Sequence, residues 1–564
     1  MPRFHGSHLL SFALGEALAL ALLAGCSDSP SSTSNSNSNS IVGCGGTIGA
    51  GTNSAAASSV DVATYHYDNL RTGQNTNETI LTPANVNSTR FGKLGEFTVI
   101  GKVDAQPLYL SNVAIPGMGT RNILYAASEH GCVYAFDADS INGSTGKALW
   151  IASTSMPGEI PSDDRGCGQV TPEIGVTSTP VIDRRRGAIY VVAVSKTSGG
   201  NYIHRIHALD LTTGAELFGG PTTITASYPG SGAGSSGGNV LFDPAAYNER
   251  PGLLELNGTI YTTWGSHCDQ GAYTSWVMAF SADTLKQTGV LNLTPNGKDG
   301  GIWMSGASPA ADAAGNIYFI LGNGTFDTAL NSSGLPSRGD CGNCFAKISS
   351  SLPLSLLDYF TPFNTVAQSN ADLDFGSGGR LLLPDLLDGA GATRHLAVAS
   401  GKSNSTIYVL DRENMGKFNA SADMIYQEIA GQISSAGEFG KPSYFNNAVY
   451  YGAVNDALKA FPVTNARLAA TPSSQSSRQF PYPGTTPTIS ANGTANGIVW
   501  AVENGNTAML HAYDAANLGR ELYNSGQAAN GRDSFAGNKF ITPMIANGRV
   551  YVGTPASVAV FGLP

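Results

Sequence analysis

Thr542-Pro543-Met544-Ile545-Ala546-Asn547-Gly548-Arg549-Val550-Tyr551-Val552-Gly553-Thr554, running on to Val558-Ala559-Val560-Phe561-Gly562, is the stretch that decides the fold. Pro543 marks the start of one strand and Asn547-Gly548 a tight hairpin turn. Val550-Tyr551-Val552 reads as a β-branched second strand, and Val558 to Phe561 as a third. Three short strands cannot bury their own faces, so other units must pack on both sides.

The chain supplies them. A Ser/Thr-Pro start followed by Gly-x-Val/Ile-Tyr recurs in seven earlier places, with variations. The starts are Gln106-Pro107, Thr179-Pro180, Arg250-Pro251, Ser308-Pro309, Gly379-Arg380, Lys441-Pro442 and Thr486-Pro487. Tyr125, Tyr190, Ile260-Tyr261, Ile317-Tyr318, Leu396-Ala397-Val398, Val449-Tyr450 and Val499-Trp500 stand in the matching second strands. An all-strand unit repeated at this period predicts an eight-bladed β-propeller of four-stranded antiparallel blades. No sequence after the last copy supplies a fourth strand, so the apolar segment 91–100 is expected to complete that blade and close the ring.

At 564 residues, with 69 glycines, 28 prolines and 13% charged residues, the composition suits many short strands and turns. A net charge of −10 without any basic stripe argues against nucleic acid. Residues 1–25 read as an export leader with an apolar core, Leu18 to Leu23, too short to span a bilayer. Leu23-Ala24-Gly25-Cys26 resembles the bacterial lipobox, which implies lipidation of Cys26, and Ser27 after it favours the outer membrane. Residues 26–59, rich in Ser and Asn, read as a disordered tether, and 60–564 as the propeller. The only membrane contact expected is the lipid anchor. Six cysteines remain beyond Cys26, and outside the cytoplasm they can form disulfides whose connectivity sequence alone leaves open. Cys341-Gly342-Asn343-Cys344 reads as a local clip, and Cys44, in the tether, is expected to play no part.

The first repeat carries Ala126-Ala127-Ser128-Glu129-His130-Gly131 and Ala135-Phe136-Asp137-Ala138, then Thr145-Gly146-Lys147-Ala148-Leu149-Trp150. This pattern resembles the pyrroloquinoline-quinone (PQQ) propeller repeat of quinoprotein alcohol dehydrogenases. Partial echoes occur at Ala208-Leu209-Asp210, Ala279-Phe280-Ser281-Ala282, Val409-Leu410-Asp411 and Ala512-Tyr513-Asp514. The recurring Asp137, Asp210, Asp411 and Asp514 read as turn caps.

Long loops fall into two classes that a propeller places on one face. They are second-to-third-strand hairpins (195–203, 265–275, 322–344) and links between blades (157–176, 228–249, 295–307, 362–378, 528–539). Those loops carry the candidate ligand-binding residues Glu129, His130, Glu173, His267, Asp269, Trp303, Asn323, Asp327, Asp374 and Lys402. Carboxylates, imidazoles and one Trp could bind PQQ with Ca²⁺ and supply a base. Each has a plainer reading: Trp303 as a packed loop anchor, His130 as a solvated turn, Cys268 as a disulfide partner.

The resemblance implies PQQ alcohol dehydrogenases with an adjacent Cys-Cys pair, which this chain lacks, and it shows no aligned calcium set. The sequence therefore favours a non-catalytic envelope scaffold binding a protein or a glycan. A PQQ- or metal-dependent oxidoreductase acting on an alcohol or sugar is the alternative, and a glycan-cleaving propeller with paired carboxylates a third. No catalytic residue, metal ligand or cofactor is assigned at this level.

Overall fold

The computed structural model describes residues 43–49, 58–141 and 146–564. The leader, Cys26 and the Ser-Asn run lie outside the described residues. Eight antiparallel sheets with four-stranded cores follow one another along the chain. Sheet 1 comprises Leu108–Ile115, Gly119–Ala127, Cys132–Asp137 and Ala148–Ser153. The first strands of sheets 2 to 7 are Val181–Asp183, Leu254–Leu256, Ala310–Ala311, Leu381–Leu382, Ser443–Phe445 and Thr488–Asn492. Each begins within four residues of a repeat start read from sequence.

Sheet 8 is Met544–Ala546, Arg549–Gly553 and Ser557–Gly562, with Gly92–Thr98 as its outer strand. Glu96 pairs with Ala559 and Phe97 with Val558. The expected closure by 91–100 is thus met by hydrogen bonding. Asn547 (φ 50°) and Gly548 (φ 75°) make the left-handed turn that this hairpin requires.

Alternate side chains of these strands serve two different cores. Ile545, Val550, Val552, Ala559 and Phe561 pack against sheet 7 residues such as Trp500 and Leu510. Met544, Tyr551, Val558 and Val560 pack against Tyr109, Leu124 and Tyr134 of sheet 1. Strands buried on both faces lose the apolar-polar alternation of a one-faced sheet, which is why Val550-Tyr551-Val552 reads as a continuous apolar run.

The same two-sided arrangement joins every neighbouring pair, sheet 1 to 2 and onward to sheet 7 against 8. Among the described residues no sheet closes into a ring of hydrogen bonds. What returns to its start is the packing of sheet on sheet. The repeat Tyr has a defined job in this packing. Tyr125, Tyr190 and Tyr450 donate to the carbonyls of Leu211, Ala282 and Ala515, just past the third strand of the next sheet, at 3.0, 2.8 and 2.9 Å. In these three places a buried phenol with a fixed acceptor ties one sheet to its successor. Asp210 caps its turn through the backbone N–H groups of Thr212 and Thr213, as the recurring Asp was read.

Residues 62–77 thread past the first strand of every sheet. Val62 bonds Tyr109, and the carbonyls of Ala63, Asn69, Leu70, Thr72 and Gly73 accept from Ile182, Ala311, Leu382, Tyr444 and Ile489. Asn69 Nδ2 donates to Glu255 of sheet 3, and Tyr67 OH accepts from Ile545 of sheet 8. One short segment can reach eight first strands only where they converge.

Three disulfides join Cys44–Cys132, Cys167–Cys268 and Cys341–Cys344. Cys44 therefore corrects the sequence reading: it fastens residues 43–49 to sheet 1, where Ala148 donates to Thr47. The stretch 195–203 is also not a long loop, because Ala188–Thr197 and Tyr202–Asp210 run nearly to its tip. Among the described residues no helix is long and apolar enough to cross a membrane.

Candidate functional site

The loops of the two long classes converge on a cavity of about 180 Å³ that opens to solvent at its mouth. Links contribute Cys167, Arg250, Trp303, Asp374, Phe439, Tyr482 and Phe540, and hairpins contribute His267, Cys268, Asp269, Asn323 and Lys402.

Trp303 lies against backbone that only glycine leaves open. A Cβ on Gly265 or Gly301 would sit 3.0 Å from its ring, and one on Gly322 would sit 3.3 Å away. Three loops from two sheets and their link thus cradle one indole. Across the lining, Phe439, Tyr482 and Phe540 form an edge-to-face series with centroids 5.4 and 5.9 Å apart. The Arg250 guanidinium stands 5.1 Å over the Phe540 ring. Its Nη1 is buried and has no hydrogen-bond partner among the described residues. The Cys167–Cys268 disulfide, also on the lining, staples the link into sheet 2 to the sheet 3 hairpin.

Opposite charges meet at Lys402. Its Nζ lies 3.1 Å from Asp374 and 2.7 Å from Asp372, and Asn323 Nδ2 donates to Asp372 at 3.3 Å. Burial pushes the Asp374 carboxyl above the usual aspartate range, although Lys402 pulls it down. Burial works against the Lys402 charge, but Asp374 and Asp372 together hold its pKa above the ordinary lysine value. His267 is fixed on both sides, with Nε2 3.1 Å from the Asp164 carbonyl and Nδ1 2.9 Å from the Arg165 guanidinium. Nε2 therefore donates and Nδ1 accepts. Burial, then Arg165, lowers its pKa to about 4, so the ring is neutral. Asp269 accepts from Ser266 Oγ and Tyr273 OH at 2.8 and 2.6 Å, positioning the hairpin.

Of the sequence candidates, His267, Asp269, Trp303, Asn323, Asp374 and Lys402 line this cavity. The other four do not. Glu129 is fully buried, accepting from Gly175 N–H and Thr177 Oγ1 at 2.9 and 3.0 Å, and burial with neighbouring Asp104 pushes its carboxyl well up. His130 pairs with Glu173 at 2.9 Å and touches the Gly43 carbonyl at 3.1 Å, so the pair anchors the N-terminal arm. Asp327 accepts from Arg338 N–H at 2.7 Å and shapes the 327–340 loop.

Sequence reasoning missed Arg250 and the aromatic wall. Arg250 stands in a repeat slot held by Ser or Thr in four copies, so a cation there was the available signal. Phe439, Tyr482 and Phe540 carried none beyond lying in links. Among the described residues no three His, Cys, Asp or Glu side chains are grouped to hold a metal ion.

With this geometry in hand, comparison with solved structures places the fold beside quinoprotein alcohol dehydrogenases, a propeller-like group. The quinohemoprotein alcohol dehydrogenase of Comamonas testosteroni is 15% identical, with a TM-score of 0.57 over 90% of this chain and 81% of that one. A quinohemoprotein alcohol dehydrogenase from Pseudomonas putida HK5 is 12% identical, with a TM-score of 0.55 over 89% of this chain and 80% of that one. The europium-containing methanol dehydrogenase is 11% identical, with a TM-score of 0.58 over 89% of this chain and 98% of that one. At such identities the likeness is one of fold. No family model and no curated protein matches the sequence.

Proposed function

We propose that the chain is an eight-bladed β-propeller oxidoreductase of the bacterial cell envelope that holds PQQ in this cavity and oxidises an alcohol or a sugar. One observation carries the reading: a glycine-cradled indole shares its cavity with Arg250, whose buried Nη1 has no hydrogen-bond partner among the described residues. PQQ is planar and carries several carboxylates, so it meets both features. Trp303 would stack on its ring, and Arg250 and Lys402 would take its carboxylates and carbonyls. The Cys167–Cys268 disulfide supplies a sulfur surface on the lining where an adjacent Cys-Cys pair was looked for in sequence. Calcium fits less well: no three acidic or imidazole side chains gather there, and no step is assigned to it.

When bound, PQQ supplies a two-electron acceptor. Asp374 takes the proton of the substrate hydroxyl, and its desolvated carboxylate is a stronger base than an exposed one. Lys402 orients that carboxylate, and the aromatic wall keeps water from the reacting carbon. The three disulfides support an oxidising compartment. Anchoring through Cys26 in the outer membrane remains part of the proposal.

The test is titration of the purified protein with PQQ alone, followed by quinone absorbance and thermal shift. Dye-linked oxidation of simple alcohols and aldoses comes next. One PQQ per chain with turnover is the expected result. Neither binding nor turnover would overturn the reading and return the cavity face to a scaffold for an envelope protein or a glycan.

A further inference from the structure

Three cations are sealed where the first strands converge. Arg71 and Arg380 have no exposed surface, and Lys441 is 2% exposed. Arg71 belongs to the threaded segment. Arg380 replaces the proline of the fifth repeat, and Lys441 replaces the Ser or Thr of the sixth. The repeat therefore aims both at the same centre.

Their partners are neutral. Arg71 Nε donates to the Pro309 carbonyl at 2.9 Å, and Arg380 Nη2 donates to the adjacent Ser308 carbonyl. Lys441 Nζ donates to the carbonyls of Arg71 and Pro442. Among the described residues none of the three forms an ion pair with a carboxylate. The nearby acid, Asp68, instead accepts from the backbone and hydroxyl of Thr72. Tyr65 is kept protonated, its pKa pushed up to about 12 by burial. Arg71 Nη2 and Arg380 Nη1 are buried with no hydrogen-bond partner among the described residues.

Burying one unpaired cation costs several kcal/mol, and three neighbouring ones repel as well. Burial foremost, and then repulsion by the neighbouring cations, bears on Arg380 and Lys441, while burial of Arg71 is opposed in part by Asp68 and Tyr65. We infer that Arg71, Arg380 and Lys441 bind one compact inorganic anion of halide size as a structural counter-ion at the centre of the fold. The large cavity contains Arg250 but none of these three residues in its lining. The occupant is thus separate from any ligand of that cavity.

The experiment uses the full chain with its disulfides intact, unfolded in urea and refolded at equal ionic strength in sodium bromide or in sodium gluconate. Crystals of the bromide form should show one anomalous peak within contact of Arg71 Nη2 and Arg380 Nη1, and no peak there overturns the inference. Thermal unfolding should show a saturable rise of about 2 °C or more in bromide over gluconate. Arg380→Gln should abolish that rise. A full rise in the variant overturns the site, and should the variant fail to fold, the anomalous map of the native chain still decides.

Discussion

Sheets 3 and 8 are built from the same repeat and serve opposite ends. Sheet 8 turns on Asn547-Gly548, buries alternate side chains in two cores, and takes its last strand from Gly92–Thr98. Sheet 3 keeps the same strand core but extends its second hairpin through His267-Cys268-Asp269 and is entered from Arg250. The repeat thus fixes where a loop emerges, while the loop alone decides what chemistry stands there. Stability should reside in the plain sheet and ligand contacts in the decorated one.

The largest expected effect tests the stability half. Phe97 is fully buried on the closing strand, 4.7 Å from the Phe136 ring. Phe97→Ala should lower unfolding free energy by about 3–5 kcal/mol in urea titration, with PQQ affinity of the folded fraction unchanged. A matching loss of affinity would break the division. Asp374→Asn tests the other half. It should cut dye-linked turnover about 10²–10⁴-fold with little change in urea midpoint. Because burial raises the Asp374 pKa, the active carboxylate form accumulates as pH rises through a range above that of ordinary aspartate. Native turnover should climb across that range, and the Asn variant should lose the climb.

Cys167→Ser sits between the two regions. Releasing a staple spanning 101 residues should cost about 2–4 kcal/mol in denaturant. Since the disulfide lines the cavity, PQQ binding should weaken as well. Stability loss with unchanged binding would make it purely structural. The smallest effect belongs to the turn of sheet 8. Asn547→Ala places an ordinary side chain at φ 50° and should cost about 1 kcal/mol in urea titration.

The strand plan was legible in the sequence because most copies carry a proline start and a second-strand Tyr, and even the outer strand at 92–98 could be placed by elimination. The loop face was legible for the same reason, since strand order dictates which connections share it. What could not be read was radial position. His130 and Glu173 lie in the right loops but pair with each other outside the cavity lining, and Glu129 is buried, held by Gly175 N–H and the Thr177 hydroxyl. Phe439, Tyr482 and Phe540 come from three different links, and their meeting depends on how separate sheets are set around a centre. Cys44 looked idle because its partner lies 88 residues away.

The threaded segment and the closing strand have a consequence for how the chain acquires its shape. Residues 62–98 are made early, yet Tyr67, Asn75 and the 92–98 strand bond residues of sheet 8. Glu96 and Ser557, hydrogen-bonded at 2.9 Å, stand 461 residues apart. Until the last sheet leaves the ribosome, the first folded segment has an unpaired edge and no partner for Phe97. Contacts of such separation make folding slow, and an open edge invites wrong pairing. Joining of the N-terminal segment to sheet 8 is therefore a late event, and a truncation at the far C-terminus should be felt first at that segment.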